Sequence, residues 1–193
     1  MELESEVARH YTRGGMLDAV LGALRTAGKD PDNLHGSDLF GADELHIGWQ
    51  PATADLAQDL KLSHGMKVLD VGAGVGGPAR HLAEEHGAQV TGIDLSEEFV
   101  DVATELTRRC GLSDRASFRV ASGLDMPFED GTFDRATMIH VGMNIRDKDR
   151  LFAEVRRVVK PGGLFAVYDI MRVADAEISY PMPWADTEAT SFV

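Results

Sequence analysis

Cysteine and long apolar runs are nearly absent from this 193-residue chain. The single cysteine, Cys110, excludes an intrachain disulfide, and no Cys/His cluster lies near it in the sequence, so neither a secreted disulfide scaffold nor a structural zinc site is expected. No run of about 18 apolar residues occurs, and the first residues are acidic and polar, whereas a signal peptide has a basic start and an apolar stretch. The sequence therefore predicts a soluble, cytoplasmic protein without a membrane partner.

Basic side chains are also scarce. Nineteen Lys and Arg stand against 32 Asp and Glu, which gives a formal net charge of −13. A surface this acidic repels the phosphates of nucleic acids, so we expect no nucleic-acid partner. The same field attracts cationic ligands at modest ionic strength, although acidity often serves solubility alone. Hydrophobic residues make up 44% of the chain, enough for the core of one globular domain.

Helical spacing dominates the first third of the chain, and short apolar runs alternate with helices after it. Leu17, Val20, Leu21 and Leu24 follow the i, i+3, i+4, i+7 pattern of a helix, and a second helix is predicted over residues 53–62. The predicted strands are residues 67–71, 89–93, 116–121, 134–139 and 164–170, and the predicted helices between them are 78–85, 97–109 and 148–159. This alternation is typical of a parallel sheet with crossover helices.

The strongest local signal is a buried strand that runs into a glycine-rich turn and then a helix, which is a nucleotide-binding pattern. Its glycines satisfy two motifs at once. Gly72, Gly74 and Gly77 form the G-x-G-x-x-G of a dinucleotide site. Asp70, followed by Gly72, Gly74 and Gly76, forms the D-x-G-x-G-x-G of an S-adenosylmethionine site.

Asp70 distinguishes the two motifs. A carboxylate this close to the turn repels a pyrophosphate at the helix N-terminus, whereas it attracts the sulfonium and ammonium groups of S-adenosylmethionine. Asp94, at the end of the second predicted strand, suits both cofactors because a carboxylate there accepts hydrogen bonds from ribose hydroxyls. The residues therefore favour S-adenosylmethionine over NAD.

Three sequence blocks in this order resemble the class I S-adenosylmethionine-dependent methyltransferases. They are KVLDVGAGVGGPARHLAEEHGAQVTGIDLS from Lys67, MPFEDGTFD from Met126 and RVVKPGG from Arg157. The resemblance covers roughly residues 40–172. Within the class, residues 43–48 and 140–148 and the continuation GGPAR are similar to small-molecule enzymes of the sarcosine/dimethylglycine N-methyltransferase type.

The resemblance implies an α/β, Rossmann-like fold with a mainly parallel sheet flanked by helices. It implies a helical lid over residues 1–64, a cofactor-binding core over 65–172, and the start of a substrate-pocket insertion or a tail over 173–193, within one structural domain. The class ends with two more strands, for which this chain has too few residues. Three explanations are open: the chain is a fragment, it is a naturally short enzyme, or a second copy completes its sheet. The unpaired edge of the sheet predicts a homodimer or a monomer that aggregates.

Carried over residue by residue, the resemblance implies a cofactor site. Gly72, Ala73 and Gly74 would pack against the methionine part of the cofactor, and Asp70 would lie on its cationic side, with Gly76 in the same motif. Asp94 would hold the ribose, and Leu95 would lie against the adenine. Ser122 and Gly123 fall where the class has an acidic residue followed by a small one beside the adenine amino group. Ser122 is a weaker acceptor than a carboxylate.

Four further residues are candidates beside the cofactor. His140, at the end of the fourth predicted strand, is the candidate catalytic residue that orients the acceptor or removes its proton, although a packing role or a cofactor contact suits it equally. Tyr11 and His46 are candidate cofactor contacts in the lid segment. Trp49 offers a cationic substrate an aromatic face, or is simply core.

A metal site is not expected. His81 and His86 flank two glutamates as in a metalloprotease helix, but they are five residues apart. That spacing separates their side chains by about 140° around a helix, so the two cannot share a metal ion.

The sequence thus predicts a methyltransferase that uses S-adenosylmethionine, acts on a small-molecule acceptor such as an amine, and releases S-adenosylhomocysteine. Two alternatives stay open at this point: a truncated domain that binds the cofactor without catalysis, and an NAD-dependent oxidoreductase with the same glycine turn.

Overall fold

The centre of the molecule is a parallel sheet. The computed structural model describes residues 2–12, 14–175 and 177–193. Its strands are β1 (Lys67–Val71), β2 (Gln89–Asp94), β3 (Ala116–Val120), β4 (Phe133–Ile139) and β5 (Val159–Tyr168), in the order β3-β2-β1-β4-β5. All four pairings are parallel. Because β2 and β4 flank β1 on opposite sides, the strand order reverses at β1 and β4, where open α/β sheets bind ligands beyond the carboxyl ends of the strands.

Six α-helices accompany the strands in the described chain. They are α1 (Glu2–Tyr11), α2 (Met16–Thr26), α3 (Trp49–Asp59), α4 (Gly77–His86), α5 (Glu97–Arg109) and α6 (Lys148–Val158), with 3₁₀ helices at Gly36–Leu39, Gly142–Asn144 and Glu188–Thr190. Side-chain caps fix the start of two of them. The hydroxyl of Ser96 accepts the amide N–H of Phe99 at 3.3 Å, and the carboxylate of Asp147 accepts that of Arg150 at 2.9 Å. The N-cap predicted at Ser96 is therefore confirmed.

The core lies on both faces of the sheet because neighbouring residues of one strand point to opposite sides. Leu69 of β1 belongs to a buried cluster with Leu151 and Val155 of α6. Val68, the preceding residue, belongs to a second cluster with Leu82 of α4. A third cluster joins α2 to α5. These clusters leave the carboxyl ends of the strands free to form a site.

The predicted α/β fold is confirmed, with three local corrections. The helix expected over 53–62 spans Trp49–Asp59, because a proline, Pro51, is tolerated in a first helical turn. The strand expected over 164–170 begins at Val159, since Phe133 pairs with Val159 before the register shifts at Arg135. Helix α1 lies over residues 2–11, within the segment 1–64 that the resemblance implied to be helical, although the spacing of apolar residues predicted no separate helix there.

The edge of the sheet at β5 carries apolar side chains. Among the described residues β5 pairs with β4 alone, and Leu164 and Val167 are 38% and 36% exposed. The described tail after β5 forms no further strand of this sheet, as the sequence predicted. The division of the chain into a lid over 1–64, a cofactor-binding core over 65–172 and an insertion or tail over 173–193 stays a prediction. No helix in the described ranges is long and apolar enough to cross a membrane.

Candidate functional site

A cavity of about 1000 Å³ opens at the carboxyl ends of the strands. Its walls come from α1, the loop 41–49, the turn after β1, the end of β2, the residues Ala121, Gly123 and Leu124 after β3, and the segment 139–147 at and after the end of β4. Ile170, Pro183 and Trp184 of the chain after β5 also line it. The volume lies at the upper end of the range for small-molecule sites, so a cofactor leaves room for an acceptor.

Ten of the twelve residues predicted for the site line this cavity. They are Tyr11, His46, Asp70, Gly72, Ala73, Gly74, Asp94, Leu95, Gly123 and His140. Ser122 and Gly76 do not line it. Gly76 has φ +84, and a Cβ there would lie 2.7 Å from Phe118 and 2.8 Å from Arg80. The structure therefore gives Gly76 a packing role, and the cofactor contact expected at this residue stays a prediction.

The glycine turn after β1 is open towards the cavity at Gly74. Gly74 has φ +53, and a Cβ there would meet Leu45 alone, at 4.0 Å. The amide N–H of Gly74 donates to the carboxylate of Asp94 at 2.9 Å. The turn thus brings a bare backbone surface to the cavity and ties the end of β1 to the end of β2.

Asp70 is a buried carboxylate that is half satisfied. Its Oδ1 accepts the hydroxyl of Thr137 at 2.8 Å, and no group in the described chain pairs with Oδ2. Burial, with a smaller contribution from the nearby carboxylates of Glu44 and Asp94, raises the pKa of Asp70 to about 6, and the Thr137 hydrogen bond opposes this rise. A cation in the cavity would satisfy Oδ2 and favour the ionised form.

Asp94 occupies the end of β2. Burial raises its pKa, and the backbone N–H groups of Ser96, Gly74 and Leu95 oppose that rise. Ser96 donates to Oδ1 at 2.9 Å and Gly74 donates to Oδ2 at 2.9 Å. Because each carboxylate oxygen can accept about two hydrogen bonds, Asp94 retains acceptor capacity for a ligand in the cavity.

His46 is the centre of a buried polar cluster that sequence spacing did not reveal. Its Nε2 lies 2.5 Å from Oε2 of Glu44, and its Nδ1 lies 3.0 Å from the carbonyl oxygen of Ile47. The Thr53 hydroxyl donates to the same Glu44 oxygen at 2.7 Å. Burial lowers the pKa of His46, but Glu44, Ile47 and Asp70 together raise it above its ordinary value. Both ring nitrogens face acceptors, which is the environment of an imidazolium.

His140 follows β4 directly and adopts φ +53. Its ring stacks on Tyr168 with centroids 5.4 Å apart and lies 5.8 Å from the ring of His46. Burial lowers the pKa of His140, and the charge of His46 lowers it further, against the carboxylate of Asp169. The structure therefore brings together a histidine whose pKa is raised and a histidine whose pKa is lowered.

Helix α1 lies along the cavity and is anchored to its far wall. The amide of Asn144 donates to the hydroxyl of Tyr11 at 2.8 Å, and the hydroxyl of Ser122 donates to the carboxylate of Glu4. Burial raises the pKa of Tyr11, against that hydrogen bond from Asn144. Glu4 and Asn144 both line the cavity. Sequence reasoning missed them because their partners lie more than 100 residues away.

A family model described as a methyltransferase domain matches residues 69–167, just over half of the chain. The matched range includes the glycine turn and the carboxylates of Asp70 and Asp94. The chain belongs to this family. The membership confirms the predicted class. No group of three or more His, Cys, Asp or Glu side chains in the described part of this methyltransferase domain could hold a metal ion.

Two relatives are similar over much of the core. Methyltransferase GfsG of Streptomyces halstedii is 39% identical over 143 residues, which are 72% of this chain and 51% of that protein. Sterol 24-C-methyltransferase ERG6B of Gibberella zeae is 42% identical over 114 residues, which are 59% of this chain and 30% of that protein. The methyltransferase domain thus spans about half the length of the first relative and under a third of the second.

The fold also matches a solved structure. Haemonchus contortus phosphoethanolamine N-methyltransferase 2, in complex with S-adenosyl-L-methionine, aligns with a TM-score of 0.63 at 31% identity, over 67% of this chain and 30% of that chain.

Proposed function

We propose that this domain binds S-adenosylmethionine and directs its methyl group, in line, to a small-molecule acceptor. The observation that carries the proposal is the unpartnered Oδ2 of Asp70 beside the open glycine turn. A buried carboxylate oxygen without a donor fits an ammonium or sulfonium ligand and repels a pyrophosphate. This favours S-adenosylmethionine over NAD.

The residues at the carboxyl ends of β1 and β2 fit the rest of the cofactor. Asp70 would hold the ammonium group, and the remaining acceptor capacity of Asp94 suits ribose hydroxyls. Leu95 and Phe99 give apolar surface to the same end of the cavity. The bound cofactor would supply an electrophilic methyl group on a sulfonium. The chain then has to position an acceptor and exclude water.

His140 is the residue that we assign to the acceptor. Its lowered pKa leaves the imidazole neutral near pH 7, so a ring nitrogen can accept a proton or a hydrogen bond from a nucleophile. An amine must lose its proton before it attacks. A neutral histidine in an acidic cavity suits an amine acceptor, and the Haemonchus relative is named as an N-methyltransferase.

A carbon acceptor is the second candidate. Leu45, Ile47 and Trp49 line the cavity and are 56%, 65% and 56% exposed, so its mouth presents apolar surface to an incoming ligand. Such a mouth suits an apolar alkene, and the Gibberella relative is named as a sterol C-methyltransferase. In this case His140 would take the proton that the methylated carbon loses.

One experiment separates these candidates. The protein is incubated with S-adenosylmethionine and either primary and secondary amines or isoprenoid alkenes, and S-adenosylhomocysteine is quantified. We expect turnover with amines that falls at least tenfold in His140→Asn, because Asn tolerates the positive φ but is not a base. His64→Asn, an exposed histidine outside the cavity, is the matched control.

Each outcome has a distinct meaning. Turnover with alkenes alone assigns the carbon acceptor. Binding of S-adenosylhomocysteine without turnover on any compound assigns a non-catalytic domain. Equal turnover in both histidine variants removes the role of His140.

The assembly and location of the protein remain predictions from the sequence. The apolar β5 edge supports a homodimer through that edge, and light scattering that gives a monomer at high concentration would contradict it. The cytoplasmic location and the lack of a nucleic-acid partner stay predictions.

A further inference from the structure

The polar group at the β3 end of the cavity comes from α1. The Ser122 hydroxyl oxygen accepts the backbone N–H of Leu124 at 3.0 Å, and its own proton goes to the carboxylate of Glu4. Ser122 does not line the cavity, whereas Glu4, Gly123 and Leu124 do. A ligand at this end therefore meets the carboxylate of Glu4 and not the hydroxyl that the sequence places after β3.

Glu4 is held in position from both ends of its helix. Glu4, Val7 and Tyr11 lie on one face of α1, since residues three and four apart along a helix are neighbours. Val7 is 8% exposed, and the hydroxyl of Tyr11 accepts the amide of Asn144 at 2.8 Å. Burial in the middle and hydrogen bonds at both ends fix the carboxylate relative to the sheet.

The strand order indicates which part of the cofactor lies there. β1, β2 and β3 are consecutive neighbours, and adjacent strands are about 4.8 Å apart. Asp70 belongs to β1, Asp94 ends β2, and Ser122 follows β3 by two residues. A ligand with its ammonium at Asp70 and its ribose at Asp94 directs its base onward to the end of β3, beneath Glu4.

We propose that Glu4 accepts a hydrogen bond from the adenine amino group of the cofactor, so that α1 is part of the cofactor site. This rests on the proposed function. Adenine presents an exocyclic N–H donor, and the carboxylate of Glu4, which lines the cavity, is an acceptor group. The carboxylate that the sequence lacks after β3 is thereby supplied from the other end of the chain. The Glu4 carboxylate also disfavours a base that carries a carbonyl oxygen where adenine carries its amino group, because both oxygens are acceptors.

The test compares two ligands on one protein sample by calorimetric titration. S-adenosylhomocysteine carries the amino group, and S-inosylhomocysteine carries a carbonyl oxygen there. The variants are Glu4→Gln and, as matched control on the same helix, the exposed Glu6→Gln. A loss of folded protein lowers the apparent binding of both ligands alike and cancels in their ratio.

In the unmodified protein we expect S-adenosylhomocysteine to bind about 10- to 100-fold more tightly than S-inosylhomocysteine, as for a hydrogen bond to a charged group. Glu4→Gln should reduce that ratio at least fivefold, because an amide can donate to the carbonyl oxygen, and Glu6→Gln should leave it unchanged. A ratio equal in both variants would overturn the role of Glu4 while leaving the cofactor site intact. No binding of S-adenosylhomocysteine to the unmodified protein would instead remove the cofactor site, and this proposal with it.

Discussion

The hydroxyl of Thr137 lies 2.8 Å from Oδ1 of Asp70, and Oδ2 of the same carboxylate has no partner in the described chain. Thr137 belongs to β4 and Asp70 to β1, where they are paired in register. The pair therefore lies at the point where the strand order reverses. Only one oxygen of the Asp70 carboxylate is therefore hydrogen-bonded in the described chain. The ionised carboxylate lowers the stability of the ligand-free protein, and the same carboxylate would bind a cationic ligand.

Replacing Asp70 should stabilise the ligand-free protein at neutral pH. The folded-state pKa of about 6 lies above the ordinary 3.8, so ionisation destabilises the fold as pH rises from 3.8 and fully above 6. In urea denaturation, Asp70→Asn should raise the free energy of unfolding by up to about 3 kcal/mol at pH 8 and by less at pH 5. The exposed Asp101→Asn is the control. A difference independent of pH would contradict this assignment.

Glu44 should set the titration of both histidines in the cavity. The raised pKa of His46 stabilises the fold fully below about pH 6.5, and this stabilisation is lost as pH rises through the folded value. In Glu44→Gln the pKa of His46 should fall, and the pKa of His140 should rise because its charged neighbour is lost. NMR titration of the imidazole protons measures both. Unchanged values for both histidines, as expected for the exposed Glu85→Gln control, would be evidence against the cluster.

The contact between Tyr11 and Asn144 should hold α1 on the core. A double-mutant cycle with Tyr11→Phe and Asn144→Ala should give a coupling energy of about 0.5–1.5 kcal/mol in the free energy of unfolding. Amide hydrogen exchange in α1 should be faster in each single variant, and no faster in the double variant than in Asn144→Ala. Additive effects would mean that the two side chains do not interact.

Arg80 should be essential for the loop that carries His46. Its side chain is 1% exposed, and its Nη2 donates to Asp43 at 2.9 Å and to the carbonyl of Val75 at 2.9 Å. Arg80→Met leaves the Asp43 carboxylate buried and should cost about 3–5 kcal/mol in the free energy of unfolding. Adding Asp43→Asn to Arg80→Met should recover part of that loss, as chemical denaturation would show. No recovery would mean that packing dominates at this position.

Much of the sheet could be predicted because each of its strands is an apolar run next to a turn. The carboxylates Asp70 and Asp94 could be placed because each lies at or next to the carboxyl end of a strand in a recognised pattern, Asp70 before the last residue of β1 and Asp94 at the end of β2. The start of β5 at Val159 could not, because a proline and two glycines follow it and resemble a loop. A pairing with Phe133 in another strand decides that boundary.

The polar contacts within the site were less accessible from the sequence. The pairs Glu4 with Ser122 and Tyr11 with Asn144 join residues 118 and 133 positions apart, a distance over which spacing carries no information. Gly76 matched the motif, yet its left-handed backbone beside Phe118 serves packing. A local pattern predicts which turn the chain makes, and tertiary contacts decide which atoms of that turn meet a ligand.

Calorimetric titration of the ligand-free protein with S-adenosylhomocysteine, with NAD as the control ligand, tests the central claim most directly. We expect one-to-one binding of S-adenosylhomocysteine, no binding of NAD, and an affinity that increases as pH rises through about 6 and Asp70 ionises. The affinity should fall at least tenfold in Asp70→Asn. Preferential binding of NAD, or equal affinity in Asp70→Asn, would contradict the account.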